Sequence, residues 1–120
     1  MRQLRQVAQH ADDLDRAVEF YRDTLELPFL ARFDPPGLAF FDLGGVRLLL
    51  EQAASPCVLY LASDDLDAEI GQLRAKGVEI MAEPHVIFAD DDGVFGPPGT
   101  SIRMAFFRDS EGNVVGLTSP

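Results

Sequence analysis

Two stretches decide the fold: "DDLDRAVEFYRDTL" (Asp12–Leu25) and "DDLDAEIGQLRAKG" (Asp64–Gly77). They align without a gap, 52 positions apart. Asp-Asp-Leu-Asp is shared, Val18 matches Ile70, Tyr21 matches Leu73, and Arg22 matches Arg74. Leu14, Ala17, Val18, Tyr21 and Leu25 recur at helical spacing in the first, as do Leu66, Ile70 and Leu73 in the second. That period gathers apolar side chains on one face, so each copy reads as an amphipathic helix. Asp13 and Asp65 stand where an N-cap is needed, and Asp15 and Asp67 put negative charge on the positive end of the helix dipole. Gly77 suits a left-handed stop after the second helix, a conformation that Glu26, closing the first, enters less readily.

The flanks repeat as well. Strand-like runs precede the helices at Leu4–Gln9 and Pro56–Ala62. Three more follow the first helix (Pro28–Phe33, Leu38–Leu43, Val46–Gln52) and three the second (Val78–Glu83, Ser101–Arg108, Asn113–Thr118). Pro35-Pro36-Gly37, Gly44-Gly45 and Glu111-Gly112-Asn113 punctuate them as turns. The chain is therefore βαβββ written twice, joined near Ala53-Ala54-Ser55-Pro56. The expected fold is α+β: one domain of two tandem modules, about 1–53 and 54–120, with curved mixed sheets around a cavity. The segment from His85 to Thr100 reads as an irregular insertion, and loops of that length are usually functional or mobile.

Bulk properties narrow the partners. A chain of 120 residues with 47% apolar content buries a sufficient core without staples. Its one cysteine, Cys57, forms no internal disulfide and reads as a small hydrophobe in a reducing compartment. Twenty acidic against ten basic residues give a net charge of −10, which repels phosphate backbones and anionic lipid. Nucleic acid and membrane are therefore not expected partners. "MRQLRQVAQH" lacks an apolar leader core, so a cytoplasmic location is expected.

The duplicated unit resembles the vicinal oxygen chelate superfamily, which includes glyoxalase I, methylmalonyl-CoA epimerase, extradiol dioxygenases and bleomycin-type resistance proteins. "DDLDRAVEFYRDTLELP" looks like the family's D-x-x-x-A-x-x-F-Y-x-x-x-L-G-L helix, and "FFRDSEGNVVGL" like its F-x-D-P-x-G-N-x-x-E-L ending. Metal-using members draw four ligands from the first and last strands of the two modules, in the order His or Gln, Glu, His, Glu. The resemblance carries these places onto Gln6, Glu51, Val58 and Gly116. Gln6 and Glu51 retain usable oxygens; Val58 and Gly116 do not. One amide and one carboxylate are a poor set for a divalent ion. The resemblance also implies a homodimer, and edge strands give a physical reason to pair.

Other donors have two readings each. His10 shares strand parity with Gln6, so it is either a substitute ligand or base, or a solvated residue at the strand end. His85 is either a lid residue over the pocket or a solvated loop histidine. "DDDG" (Asp90–Gly93) lacks the spacing of a calcium loop, and "GVFGPPG" lacks the flanking strand and helix of a phosphate cradle. Ser63 and Ser101 have no nucleophile-elbow context. By alternation Arg47, Leu49 and Glu51 share a face, and with Gln6 they would anchor an aromatic-walled pocket; the competing reading is ordinary core with Arg47 paired to an acid.

The leading expectation is a small-molecule-binding protein with a degenerate metal site, taking an apolar or aromatic compound through Gln6, His10, Arg47, Leu49, Glu51, Val58, His85 and Gly116. No cofactor is expected in that reading, and any catalysis would be modest acid–base help from Glu51 or a histidine. The alternative is a lyase or isomerase of glyoxalase I or methylmalonyl-CoA epimerase type, in which Ni, Zn, Co or Mn sits on Gln6 and Glu51 with His10, His85 or water. An epimerase acting on a CoA thioester would also need basic residues at its mouth, for which Arg5, Arg32, Arg47 and Arg103 are available.

Overall fold

The computed structural model describes residues 2–120, which cluster into two compact units. The first runs through Cys57 and adds Asp109–Asn113; the second comprises Val58–Arg108 and Val114–Pro120. Among the described residues no helix is long and apolar enough to cross a membrane.

In the first unit β1 (Gln6–His10) leads into α1 (Leu14–Glu19), then β2 (Phe29–Phe33), β3 (Leu38–Asp42) and β4 (Arg47–Glu51). The strand order is β1-β4-β3-β2, with β1 parallel to β4 and the other neighbours antiparallel. Asp13 caps α1 as its spacing predicts, accepting the Arg16 amide at 3.1 Å. The regular helix expected through Leu25 is shorter. From Phe20 to Thr24 the turn widens, and the Leu25 amide reaches back five residues to the Phe20 carbonyl at 3.0 Å. Glu26 then takes φ 57°, a left-handed conformation costing a non-glycine residue roughly 1–2 kcal/mol.

The helix covers one sheet face. Ala17, Val18 and Tyr21 are buried with Ala39, Phe41, Leu48 and Leu50, which alternate with more exposed neighbours along β3. Burying a side chain such as Leu48 or Phe41 contributes about 1.5–3 kcal/mol. The turn "RDSEGN" closes this unit. Buried Asp109 accepts the Tyr21 hydroxyl at 2.6 Å, the Glu111 and Asn113 amides at 2.9 and 2.8 Å, and the Asn113 side-chain amide at 3.0 Å. Glu111 takes Arg16 in a fork of 2.6 and 3.0 Å and accepts the Asp13 amide at 2.7 Å. Gly112 makes this turn possible with φ 81°.

The second unit repeats the plan. β5 (Leu59–Ala62), α2 (Leu66–Ala75), β6 (Ile80–Asp90), β7 (Thr100–Arg108) and β8 (Val114–Thr118) give the order β5-β8-β7-β6, again with the first and last strands parallel. Asp65 caps α2 by accepting the Ala68 amide at 3.1 Å, and Gly77 ends it at φ 85°. Leu66, Ile70 and Leu73 bury with Ala105, Phe107, Val115 and Leu117.

One element departs from the sequence reading. Of the sixteen residues expected as an insertion, His85–Asp90 and Thr100 are strand, since β6 continues to Asp90 and pairs with β7 as far as Asp90↔Thr100. Three register shifts absorb Pro84 and its neighbours, which broke the alternation that would have marked a strand. Only residues 91–99 form the hairpin loop. Asp90, 1% exposed, holds it by accepting the Val94 and Phe95 amides at 2.7 and 2.9 Å.

Candidate functional site

Each sheet has one face under its helix and one open face. Paired residues of adjacent strands point the same way, so the register assigns the open faces. In the first unit Gln6 lies opposite Arg47, Ala8 opposite Leu49 and His10 opposite Glu51, with Phe40 beside Leu49. Gln6, His10, Arg47, Leu49 and Glu51 therefore share that face. Gln6 and Glu51 are four residues out of step, on the order of 13 Å along the strands. That offset corrects the pairing of Gln6 with Glu51 at one ion.

His10 is committed elsewhere. Its Nε2 meets the Asp12 carboxylate at 2.6 Å, and its Nδ1 faces the Gln52 and Ala54 carbonyls at 2.9 and 3.1 Å. Every partner is an acceptor, so the arrangement suits an imidazolium donating from both nitrogens. The Asp12 hydrogen bond raises its pKa above the ordinary value, against a smaller lowering by desolvation. A doubly protonated ring offers no lone pair to a metal. The neighbouring Gln9 is buried and clips the Cys57 backbone, donating to its carbonyl at 2.7 Å and accepting its amide at 3.0 Å. Burial pushes the Cys57 thiol up.

In the second unit Gly116 lies between Tyr60 on β5 and Phe106 on β7, paired with both. A Cβ at Gly116 would stand 2.8 Å from Tyr60 Cδ1 and 3.1 Å from Phe106 Cε1, so the two rings fill the place a side chain would take. Their centroids are 6.0 Å apart at 84°, an edge-to-face pair. Val58, just before β5, shares the strand parity of Tyr60 and is half exposed. His85 pairs with Met104 within β6, which corrects its placement at the mouth of a loop. Its Nδ1 donates to the Glu83 carbonyl at 2.7 Å.

The repeat refines the metal positions further. Tyr60 is 52 residues after Ala8; Tyr60 pairs with Gly116 and Ala8 with Leu49. The structural counterpart of Gly116 is thus Leu49, and that of Glu51 is Thr118, which pairs with Ala62 as Glu51 does with His10. The repeat-related places hold Gln6 and Leu49 in the first unit, with one oxygen donor, and Val58 and Gly116 in the second, with none. Among the described residues no three His, Cys, Asp or Glu side chains converge to hold a metal ion.

Each open face carries a depression. The second unit has a cleft of about 400 Å³ beside the hairpin loop, walled by Phe88, Phe95, Ile102, Met104 and Thr118 with Asp90 at its edge. Phe88 and Phe95 pack edge-to-face at 5.9 Å. The first has a shallower groove of about 340 Å³ bounded by Gln6, Leu30, Ala31, Phe33, Phe40 and Arg47.

A family model described as Glyoxalase/Bleomycin resistance protein/Dioxygenase superfamily matches residues 3–117. The chain belongs to that superfamily. A glyoxylase-like domain-containing protein of Didymella fabae is 31% identical, spanning 86% of this chain and 82% of its own. Among solved structures, TnmS3, an antibiotic binding protein from Streptomyces sp. CB03234, has a TM-score of 0.79 at 22% identity, covering 100% of this chain and 97% of that one. A lactoylglutathione lyase from Agrobacterium tumefaciens has a TM-score of 0.75 at 24% identity, covering 98% and 92%. At those identities the two structures attest the fold alone.

Tyr60, which flanks Gly116 together with Phe106, is the neighbour that the sequence did not single out. Gly116 was the signal: a glycine inside a central strand marks a close approach, and its cross-strand neighbours are what approach it.

Proposed function

We propose that this superfamily member is a small-molecule-binding protein with a degenerate metal site, taking an apolar or aromatic compound on its open sheet faces. The observation that carries this is the filled place at Gly116, where Tyr60 and Phe106 stand in the space a ligating carboxylate would need. Leu49 in the equivalent position and the engaged ring of His10 point the same way. What remains suits apolar ligands: exposed Tyr60, Phe88 and Phe95 offer ring surface, and aromatic pairs add about 0.5–1.5 kcal/mol beyond buried area. An antibiotic binding protein shares this fold, so the fold accommodates a binding role. A divalent-metal lyase or isomerase would need donors that these positions lack.

A thermal-shift panel of aromatic compounds tests the reading. A ligand at a hundredfold excess over its dissociation constant should stabilise the chain by about 2.7 kcal/mol. Failure of a broad aromatic panel to raise Tm would sink it. So would stoichiometric uptake of Ni, Zn, Co or Mn that disappears in Gln6→Ala.

A further inference from the structure

The groove of the first unit has a charge opposite to what a metal centre requires. Gln6 could ligate a cation only through Oε1, and that atom accepts the Arg47 Nε–H at 2.9 Å. The guanidinium can only donate, so the amide orientation is set by chemistry: oxygen toward Arg47, Nε2–H₂ away from it. The pair therefore turns outward the Nη groups of Arg47 and the amide nitrogen of Gln6. All of these are donors, and one carries a full positive charge.

Arg47 differs from most arginines in the chain. Arg16, Arg22, Arg32, Arg74, Arg103 and Arg108 each lie within 4 Å of a carboxylate. Among the described residues no carboxylate comes that close to Arg47. Asp42, its cross-strand partner on β3, instead accepts the Gly45 amide at 3.0 Å. Glu51 is four residues further along the same strand. In a chain of net charge −10, an unneutralised guanidinium stands out. Its surroundings are apolar: Phe33 and Phe40 pack edge-to-face at 6.0 Å, with Leu30 and Ala31 beside them in the same groove.

We infer that this groove binds an aromatic carboxylate, its ring against Phe33, Phe40 and Leu30 and its two oxygens on Arg47 and Gln6. Guanidinium and carboxylate match as planar forks, which gives orientation as well as attraction. The inference rests on the small-molecule-binding reading and assigns that ligand its class. The Arg47–Gln6 pair takes the oxygens that a metal ion would hold in other members of the fold.

Isothermal titration of the full chain with 2-naphthoate and with its neutral counterpart, 2-naphthamide, tests this. Naphthoate should bind about tenfold more tightly, a difference of about 1.4 kcal/mol. Arg47→Met, which keeps the apolar stem at an exposed site, should erase that preference by weakening naphthoate about tenfold more than naphthamide. Phe33→Ala should weaken both compounds. Equal affinity of the two compounds for the wild type, or a preference that survives in Arg47→Met, would overturn the assignment while leaving a binding protein in place. Absence of binding by either compound would overturn the assignment as well, while the binding reading stands or falls on the broad aromatic panel.

Discussion

Tyr21 and Asp109, separated by 88 positions, meet in a buried hydrogen bond of 2.6 Å from phenol to carboxylate. Tyr21 is fully buried and Asp109 nearly so. This one contact joins the two motifs by which the family is legible, the F-Y of the first helix and the D of the last turn. It also gives "RDSEGN" its role: the turn is a clamp, closed by the bonds that Asp109 accepts.

Tyr21→Phe removes a donor to a charged acceptor, a bond worth about 1.5–3 kcal/mol. Urea unfolding should show a fall in stability of about 2 kcal/mol with an unchanged m-value. Burial, and then the charge of Asp109, raise the Tyr21 pKa well above the ordinary 10.0. A folded-state pKa above the unfolded one gives stability that is complete below pH 10 and lost as the pH rises beyond it. Stability of the wild type should therefore fall above pH 10, and the fall should be smaller in Tyr21→Phe.

Gly116→Ala forces a Cβ against the Tyr60 and Phe106 rings, and overpacking of this kind costs about 1–3 kcal/mol. Tyr60→Ala should relieve most of that cost. A double-mutant cycle should return a coupling of about 1 kcal/mol between the two positions. Additive effects would show that the rings do not fill the site.

His10 should act on stability in the opposite pH range from a carboxylate. Asp12 raises its folded pKa above the unfolded value near 6.5. The contribution is thus complete below about pH 6.5 and lost as the pH rises through the folded value. Asp12→Asn should lower the His10 pKa in an NMR titration and flatten that part of the stability profile.

Helix caps, apolar periodicity and the 52-residue repeat made both modules legible, because each depends on residues close in sequence. The far half of β6 was not, since Pro84 and its bulges hide the alternation by which a strand is recognised. Gly116 could be singled out from the repeat and the motif together as an odd residue inside a strand. Its true counterpart, Leu49, and its neighbours Tyr60 and Phe106 follow only from strand register, which alternation does not set across strands. The same limit made Glu51 look like a partner for Gln6, when the residue opposite Gln6 is Arg47.

The central claim is that this fold binds its ligand without a metal ion. Titrating 2-naphthoate into protein stripped with a chelator, and into the same protein after addition of Ni, Zn, Co or Mn, tests it most directly. The expected result is saturable binding in the stripped protein, with an affinity that none of the four ions changes. Binding that appears only once a stoichiometric divalent ion is restored would contradict it.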